Sequence, residues 1–146
     1  MADGFEILAD DHRAVERLFE TYRHDTEDSI AHEICEQLTV HTRIEESALY
    51  PALRRYVDGG DDLADEAEQE HATVKTLIAR IYDSPPGGLF DLVTELRHDV
   101  EHHVEREESE LFPLMREAGV DAALLGAEIE GSRRATEQST ARYSAR

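Results

Sequence analysis

The stretch HTRIEESALYP at residues 41–51 recurs as HVEREESELFP at residues 103–113, so the chain carries two copies of a His-x-x-x-Glu-Glu element. The histidine and the first glutamate of each copy lie four residues apart: His41 with Glu45, and His103 with Glu107. On an α-helix this spacing leaves the two side chains about 40° apart around the axis and one turn apart along it. Each copy can therefore direct an imidazole and a carboxylate towards the same point.

The similarity of the two halves extends upstream of these elements. The segment DDHRAVERLFETY, which contains His12, resembles QEHATVKTLIARIY, which contains His71. Both have an acid directly before the histidine, a valine three residues after it and a leucine six residues after it. Each half thus consists of a histidine, about thirty residues and then the His-x-x-x-Glu-Glu element, which predicts two helix pairs built on one plan.

The register of the second copy has an alternative, because His102 precedes His103 and Glu108 follows Glu107. Alignment to the first copy selects His103 and Glu107. His98 and His102 form a separate pair four residues apart, which can hold a metal in principle. That pair has no carboxylate partner and no counterpart in the first half. We therefore expect His98 and His102 to be surface residues, or His102 to lie directly behind the metal ligands.

Composition limits the class of protein. A chain of 146 residues has the length of one ordinary domain. Its 15 Lys+Arg against 34 Asp+Glu give a net charge of −19, which repels nucleic-acid backbones and anionic membranes. No apolar stretch approaches the roughly 20 residues of a membrane span, and the amino terminus lacks a signal-peptide pattern. With Cys35 as the single cysteine, we expect a cytoplasmic protein without nucleic-acid or membrane partners.

Apolar residues recur with helical spacing almost throughout, and the strong helix breakers fall between the candidate helices. The pattern predicts helices over residues 5–25, 28–57, 61–82, 89–118 and, shorter, 121–129. We predict an all-α fold in which residues 1–118 form an up-down-up-down four-helix bundle. Residues 119–146 form an extension, helical at first and then a polar tail that we expect to fray from residue 132. Pro51 and Pro113 predict a kink after each His/Glu turn.

Six side chains carry the predicted chemistry. If the helices alternate in direction, one bundle core receives His12, His41, Glu45, His71, His103 and Glu107. Neutral imidazoles and carboxylates suit first-row transition metals, and each glutamate has two oxygens with which to bridge two ions. A single histidine is more often an ordinary structural residue, but burying all six groups without a metal would cost several kcal/mol per ion. The set therefore predicts a binuclear metal site.

These motifs resemble those of the hemerythrin family, specifically its HHE cation-binding domains and bacterial hemerythrin-like proteins. The resemblance covers about residues 5–118 and rests on the double His…His-x-x-x-Glu motif. It implies a four-helix bundle that holds two non-haem iron ions with an oxo or hydroxo bridge and that binds dioxygen or reacts with related small oxidants. By matching motif positions, it implies that the same four histidines and two glutamates are the iron ligands, with both glutamates bridging.

One position departs from the oxygen-carrying members of that family, which have a further histidine one turn after the third. Here that position is Lys75, which leaves two open coordination positions on the iron pair instead of one. Tyr50, which replaces Phe112 of the second copy, is a candidate additional ligand; otherwise it is an aromatic core residue. In a straight helix it would point about 180° away from His41, so ligation requires the kink at Pro51. Lys75 is either a cation close to the centre or a surface residue.

Two open positions favour peroxide dismutation over reversible dioxygen binding, so a catalase-like di-iron activity is the leading hypothesis. Dioxygen and nitric oxide are the other candidate ligands, and an unknown electron donor is a further candidate partner. The alternative is an iron or oxygen storage or sensor protein without catalysis, in which metal binding stabilises the bundle. A third interpretation is a helical interaction module whose histidines bind zinc adventitiously or no metal. The pattern assigns no residue a catalytic role beyond metal binding.

Overall fold

Helices make up almost all of the computed structural model, which describes residues 2–144. No β-strand occurs between those limits. The helical elements are α1 (Gly4–His24), α2 (Asp28–Ile44), π1 (Glu45–Leu49), α3 (Tyr50–Tyr56), α4 (Gly60–Asp83), α5 (Phe90–Arg106), π2 (Glu107–Leu111), α6 (Phe112–Glu117) and α7 (Ala122–Ser144). The all-α prediction is confirmed, and the four predicted long helices match the observed segments to within one residue at each end.

Two wide turns interrupt the second and fourth long segments, at the places where the sequence predicted kinks. π1 and π2 are π-helical turns in which a backbone N–H donates to the carbonyl five residues earlier. The donors and acceptors are Tyr50 to Glu45, and Phe112 to Glu107. Each turn ends two residues before a proline, whose ring collides with the carbonyl four residues back in a regular α-helix. The wider turn relieves that collision, so the helix continues beyond each proline with an altered rotation.

Two apolar clusters fill the interior and leave a polar layer between them. One cluster includes Phe19 and Leu96, and the other includes Leu8 and Leu111. His12 lies between Leu8 and Phe19 along α1, and the other three predicted ligand histidines lie between members of the two clusters along the chain in the same way. α1 packs on α2, α4 packs on α5, and α2 packs on α4, which is consistent with a four-helix bundle.

α7 is longer than the sequence predicted. The expected short helix over residues 121–129 and the frayed tail from residue 132 are replaced by one helix, Ala122–Ser144; the last two residues of the predicted tail lie outside the described residues. Leu125 and Ile129 are buried, and α7 packs on α1, α2 and π1. The prediction of a helix that ends at residue 129 is therefore wrong. Contacts with the bundle stabilise this helix, although its own sequence is only weakly amphipathic.

Two further observations concern membrane-spanning helices and the single cysteine. Within the described part of the chain, no helix combines the length and the apolar character of a bilayer span. Cys35 is buried in α2 among apolar residues. Burial, together with the charge of Glu36, raises the pKa of its thiol to about 11. The thiolate that reacts with oxidants and metals is therefore scarce at neutral pH.

Candidate metal centre

The polar layer contains two groups of side chains that can hold a metal ion. One group comprises His12, His41, Glu45 and Glu107, and the other comprises His71, His103 and the same two glutamates. Within each group the ligand atoms all lie within 4.8 Å of one another, and every member is buried. The structure therefore brings together all six residues that the sequence singled out. The two groups share both carboxylates, as a paired site requires.

Each side chain reaches the layer from a different place in the fold. The histidines come from four helices: His12 from α1, His41 from α2, His71 from α4 and His103 from α5. The glutamates are the first residues of π1 and π2. Because each glutamate follows its histidine by one helical turn, both side chains of a repeat copy point into the same layer. The spacing argument from the sequence is thereby confirmed.

The two glutamates lie between the histidine pairs. Glu45 Oε2 is 3.3 Å from His41 Nε2, and Glu45 Oε1 is 3.0 Å from His71 Nε2. Glu107 divides its oxygens in the same way, at 3.2 Å from the nearest imidazole of each pair. Each carboxylate thus offers one oxygen to each pair. That arrangement fits a carboxylate that bridges two ions.

Within each pair the two imidazoles face each other through their Nε2 atoms. The separation is 3.1 Å between His12 and His41, and also 3.1 Å between His71 and His103. Two ligands at right angles, each about 2.1 Å from one ion, are about 3.0 Å apart. Two neutral imidazoles that both donate through Nδ1 would bring two lone pairs together here. A shared cation removes that repulsion, so the spacing fits a metal between the rings.

Three buried polar atoms make no hydrogen bond of good geometry, although each has a neighbouring ionisable group within 3.5 Å: Glu45 Oε2 and Glu107 Oε1 in the layer, and His71 Nδ1 on its outer side. Unsatisfied buried polar atoms are rare in folded proteins, and an unpaired carboxylate oxygen is especially costly. Two of these atoms are the glutamate oxygens that face the His12/His41 pair. Metal ions would satisfy both, so the donor set fits the metal that the sequence predicted.

A second set of carboxylates lies on the outer side of the imidazoles, next to Nδ1. The pairs are Asp11 with His41 at 3.3 Å, Glu108 with His12 at 2.6 Å, Glu70 with His103 at 3.0 Å and Glu46 with His71 at 3.5 Å. Such a carboxylate fixes the tautomer and orientation of a ligand histidine and raises its basicity. Three of these contacts are hydrogen bonds, whereas Glu46 is only a charged neighbour of His71 Nδ1. All four imidazoles have their Nε2 directed into the layer.

The sequence reasoning did not assign these outer carboxylates, although the repeat contains the pattern. Asp11 and Glu70 are the acids directly before the first histidine of each half, and each contacts the second histidine of its own half. Glu46 and Glu108 are the second acids of the two Glu-Glu pairs, and each contacts the first histidine of the opposite half. An acid recurs at equivalent positions of the two halves, and this recurrence was the one sign in the sequence that these carboxylates belong to the site. The spacing along the chain did not show which histidine on another helix each carboxylate contacts.

Tyr50 reaches the layer, and π1 explains how. Its hydroxyl is 2.9 Å from His71 Nε2 and donates to Glu107 Oε2 at 2.9 Å; it also lies 3.3 Å from His103 Nε2. The extra residue in a π turn changes the rotation beyond it by about 100°, which brings Tyr50 from about 180° to about 80° from the direction of His41. The required re-aiming has therefore occurred. Ligation of a metal by Tyr50 stays a prediction.

The corresponding residue of the second copy, Phe112, lies on the other side of the layer. Its ring stacks with the imidazole of His12, with centroids 6.3 Å apart, and contributes no polar atom. The Tyr50 ring lies 5.2 Å from that of His71. The two sides therefore differ by one hydroxyl group, which is present beside His71 and absent beside His12.

The buried glutamates determine the electrostatics of the layer. Burial alone would lower the pKa of His12, but hydrogen bonds and charges from Glu107 and Glu45 outweigh it and raise the pKa to about 10. His41 behaves similarly, with burial opposed by Glu45 and Asp11, and its pKa rises to about 9. For Glu45, burial acts to raise the pKa, but the charge of His41 and imidazole hydrogen bonds hold it well below its usual range. The two glutamates thus hold protons on the imidazoles of the metal-free layer, and a metal ion can take the place of those protons.

Two other predicted residues lie outside the layer. Lys75 is exposed, and its Nζ is 2.8 Å from Glu46 Oε1, so it contacts the carboxylate beside His71 rather than the layer itself. His102 is also exposed, and its Nε2 is 3.8 Å from Glu70 Oε2, the carboxylate beside His103. Each therefore lies one carboxylate removed from a ligand histidine.

Two cavities reach candidate ligands from the surface. One, of about 430 Å³, lies between α1 and α5; His12 and Glu108 form part of its wall, and Phe19, Val100 and Val104 supply apolar surface. The other, of about 440 Å³, is lined by His41 and by residues of α1, α2 and α7. Both lie on the side of the layer where Phe112, rather than Tyr50, is the aromatic neighbour.

Comparisons with known proteins bear on the same region. The family model described as Hemerythrin HHE cation binding domain matches residues 3–115. A curated relative described as a DNA nickase, from Nostoc sp. (strain PCC 7120 / SAG 25.82 / UTEX 2576), is 31% identical over 117 residues, which are 76% of this chain and 33% of that protein. The chain thus spans about a third of the length of that relative. No solved structure matches the chain.

Proposed function

The chain belongs to the hemerythrin HHE cation-binding domain family, and from that premise we propose that it holds two iron ions and reacts there with small oxidants. The observation that carries the proposal is the shared pair of buried glutamates, each with one oxygen towards either histidine pair. Imidazole and carboxylate ligands suit iron, and shared carboxylates are typical of paired-metal sites in bundle cores. Bound iron would supply the Lewis acidity and the electron transfer.

The proposed ligands divide into a symmetric set and one addition. The symmetric set consists of His12, His41, Glu45, His71, His103 and Glu107. The addition is Tyr50, whose hydroxyl contacts the His71/His103 pair. Burial and the charges of the two glutamates raise the pKa of Tyr50 well above its usual range. A bound cation acts in the opposite direction and favours the phenolate, so ligation by Tyr50 would accompany metal binding.

We place the reaction on the side of His12 and His41. Tyr50 occupies the opposite side with its hydroxyl, whereas Phe112 offers no donor beside His12. The cavity between α1 and α5 supplies a route to His12 for a molecule the size of a small oxidant. Hydrogen peroxide dismutation is the favoured reaction; Lys75 replaces the additional histidine of the oxygen carriers, and a second open position is present only where Tyr50 does not ligate. Dioxygen and nitric oxide are the other proposed ligands. An electron donor remains a proposed partner.

The proposal also covers the helix topology, the cellular location and the absence of a nucleic-acid partner. The order of the apolar clusters reverses from α1 to α2 and again from α4 to α5, which supports an up-down-up-down arrangement. A single cysteine favours the cytoplasm. The net charge of −19 argues against a nucleic-acid partner, so we do not extend the name of the Nostoc relative to this chain, which spans about a third of it.

Iron storage or sensing without catalysis is the second candidate function. It is favoured by the uncompensated carboxylate oxygens in the layer, because a cation that satisfies them contributes its binding energy to the stability of the fold. A sensor of this kind would melt at a clearly lower temperature after iron removal. Equal melting temperatures with and without iron would eliminate this candidate.

The test of the main proposal has a binding stage and a reaction stage. Purified protein is loaded with iron, and iron per chain and the charge-transfer absorption of the pair are measured. We expect two ions per chain; zinc or no metal would contradict the proposal. The loaded protein is then mixed with hydrogen peroxide in an oxygen electrode, with an equal amount of free iron as the control. Oxygen release above that control supports dismutation, and its absence from loaded protein eliminates the catalytic version alone.

A further inference from the structure

α7 lies beyond the region that matches the family, yet it contacts the surroundings of the metal centre. The family match ends at residue 115, and α7 begins at Ala122. Its first half is held against the start of α1 by close backbone approach: a Cβ atom added to Gly4 would lie 2.6 Å from Leu125 Cγ and 2.8 Å from the backbone nitrogen of Gly126. These glycines fix the position of α7 on the bundle.

The second half of α7 makes two polar contacts close to the site. The Arg133 guanidinium donates to Asp11 Oδ2, and the same oxygen is 3.3 Å from His41 Nδ1. One residue earlier, the hydroxyl of Ser132 is 2.5 Å from that of Ser47, which belongs to π1. α7 thus reaches both the carboxylate that orients His41 and the turn that carries a bridging glutamate.

The other outer carboxylates show what Arg133 does for Asp11. Each of them is also contacted by a cation, at the same oxygen that lies next to the imidazole: Arg13 at Glu108, Lys75 at Glu46 and Arg106 at Glu70. Those three cations lie within the region matched by the family, whereas the fourth, Arg133, is supplied by α7. A charge-assisted hydrogen bond holds a carboxylate in place more strongly than a neutral one. The completion of the fourth cation–carboxylate–imidazole chain therefore depends on α7.

We propose that Arg133 is a positioning residue for the metal centre and that it couples the docking of α7 to the occupancy of the His12/His41 side. Arg133 holds Asp11 against His41 Nδ1, and Asp11 in turn holds the ring with Nε2 directed at the metal. The partner of a ligand histidine contributes substantially to metal affinity. Coupling between two binding events is reciprocal, so a bound metal stabilises the docked α7 to the same extent. This inference rests on the proposed metal binding.

The first part of the test compares three variants of the full chain. Arg133→Gln removes the cation, Arg133→Lys retains it, and Arg134→Gln removes the same charge from an exposed neighbouring position on α7. Each protein is loaded anaerobically with ferrous iron and titrated with a competing chelator. We expect Arg133→Gln to lose one of its two ions at about tenfold lower chelator, towards the weak end of the range for ligand-supporting residues. Arg133→Lys should recover most of that loss, and Arg134→Gln should match the unchanged protein.

The second part measures α7 directly, by amide hydrogen exchange over residues 122–138 with and without iron. Iron should slow exchange in the unchanged protein and in Arg134→Gln, and this iron-dependent slowing should be lost in Arg133→Gln. Circular dichroism of the metal-free proteins checks that all variants fold. Equal iron retention by Arg133→Gln and Arg134→Gln, or no recovery in Arg133→Lys, overturns the inference while leaving the proposed function intact. Failure of the unchanged protein to bind iron overturns both.

Discussion

The His12/His41 side and the His71/His103 side of the centre have the same arrangement of candidate ligands and differ in the aromatic residue beside them. On both sides two imidazoles face each other at 3.1 Å, and each ring has a carboxylate next to Nδ1. The glutamates contact both sides alike. The difference is the hydroxyl of Tyr50, which Phe112 lacks. The repeated residues therefore form the two groups that can hold a metal, and in our proposal the position where the repeat fails determines which side accepts a further ligand.

The largest expected effect comes from removing what the two sides share. Changing both Glu45 and Glu107 to glutamine removes the negative charge from both bridges, so we expect loss of both irons and of their charge-transfer absorption. Each single change should weaken both ions, because each glutamate contacts both histidine pairs. Glu110→Gln, an exposed position in π2, is the control for charge and should retain two ions. Retention of both ions by the double variant would show that the carboxylates do not bridge.

A smaller effect is expected when the Tyr50 hydroxyl, which distinguishes the two sides, is removed. Tyr50→Phe makes the two sides alike, and we expect two irons to remain bound, with about tenfold weaker binding of the ion beside His71 and His103. The absorption band from phenolate to ferric iron should disappear. Phe112→Tyr in the same protein is the matched control: its hydroxyl would lie beside His12, so it should not restore the affinity at the other side. An unchanged visible spectrum in Tyr50→Phe would show that Tyr50 is a core residue and no ligand.

The symmetric part of the centre was predictable from sequence because the helical period converts a four-residue spacing into a shared direction. His41 with Glu45 therefore needed no tertiary information, and the helix bounds followed from glycine and proline positions. The position of Tyr50 depended on how the chain accommodates Pro51. A proline in a helix permits a kink, a break or a π turn, and these outcomes aim the next residues differently.

Contacts between elements distant in sequence could not be predicted. Asp11 contacts His41, and Glu108 contacts His12, across gaps that no helical period relates. The continuation of α7 past residue 129 was missed for a similar reason: its polar second half has a low apolar content, and its contacts with α1 and π1 are tertiary. Arg133 consequently looked like part of a solvated tail.

The route by which small molecules reach the iron pair should also distinguish the two sides, and blocking it should have a smaller effect than the substitutions above. Val104→Trp fills apolar space in the cavity beside His12, so we expect about tenfold slower binding of azide, used as a small probe of the open iron position, with two irons retained. Thr73→Trp is the control, because it fills a cavity between α4 and α5 that is lined by His98 and His102. Equal slowing by both substitutions would indicate that small molecules reach the centre by another route.

The smallest effect concerns the acid–base behaviour of the metal-free protein. The pKa values of His12 and His41 are about 10 and about 9 when folded, above the ordinary 6.5. Protonation of these rings thus stabilises the fold fully below about pH 6.5, and the contribution is lost as the pH rises through 9 to 10. In chelator, we expect the melting midpoint to fall by about 10 °C between pH 6.5 and pH 10.

The iron-loaded protein provides the internal control, because metal rather than a proton then occupies the Nε2 atoms and the fall should be much smaller. The pKa of His103 is also raised, since the opposing effect of burial is outweighed by Glu107 and neighbouring carboxylates. His12→Gln and His103→Gln should therefore flatten the pH dependence of the metal-free protein to a similar degree. A flat dependence before substitution would contradict the raised pKa values of the imidazoles, and flattening by only one variant would show that the two sides differ in charge as well as in Tyr50.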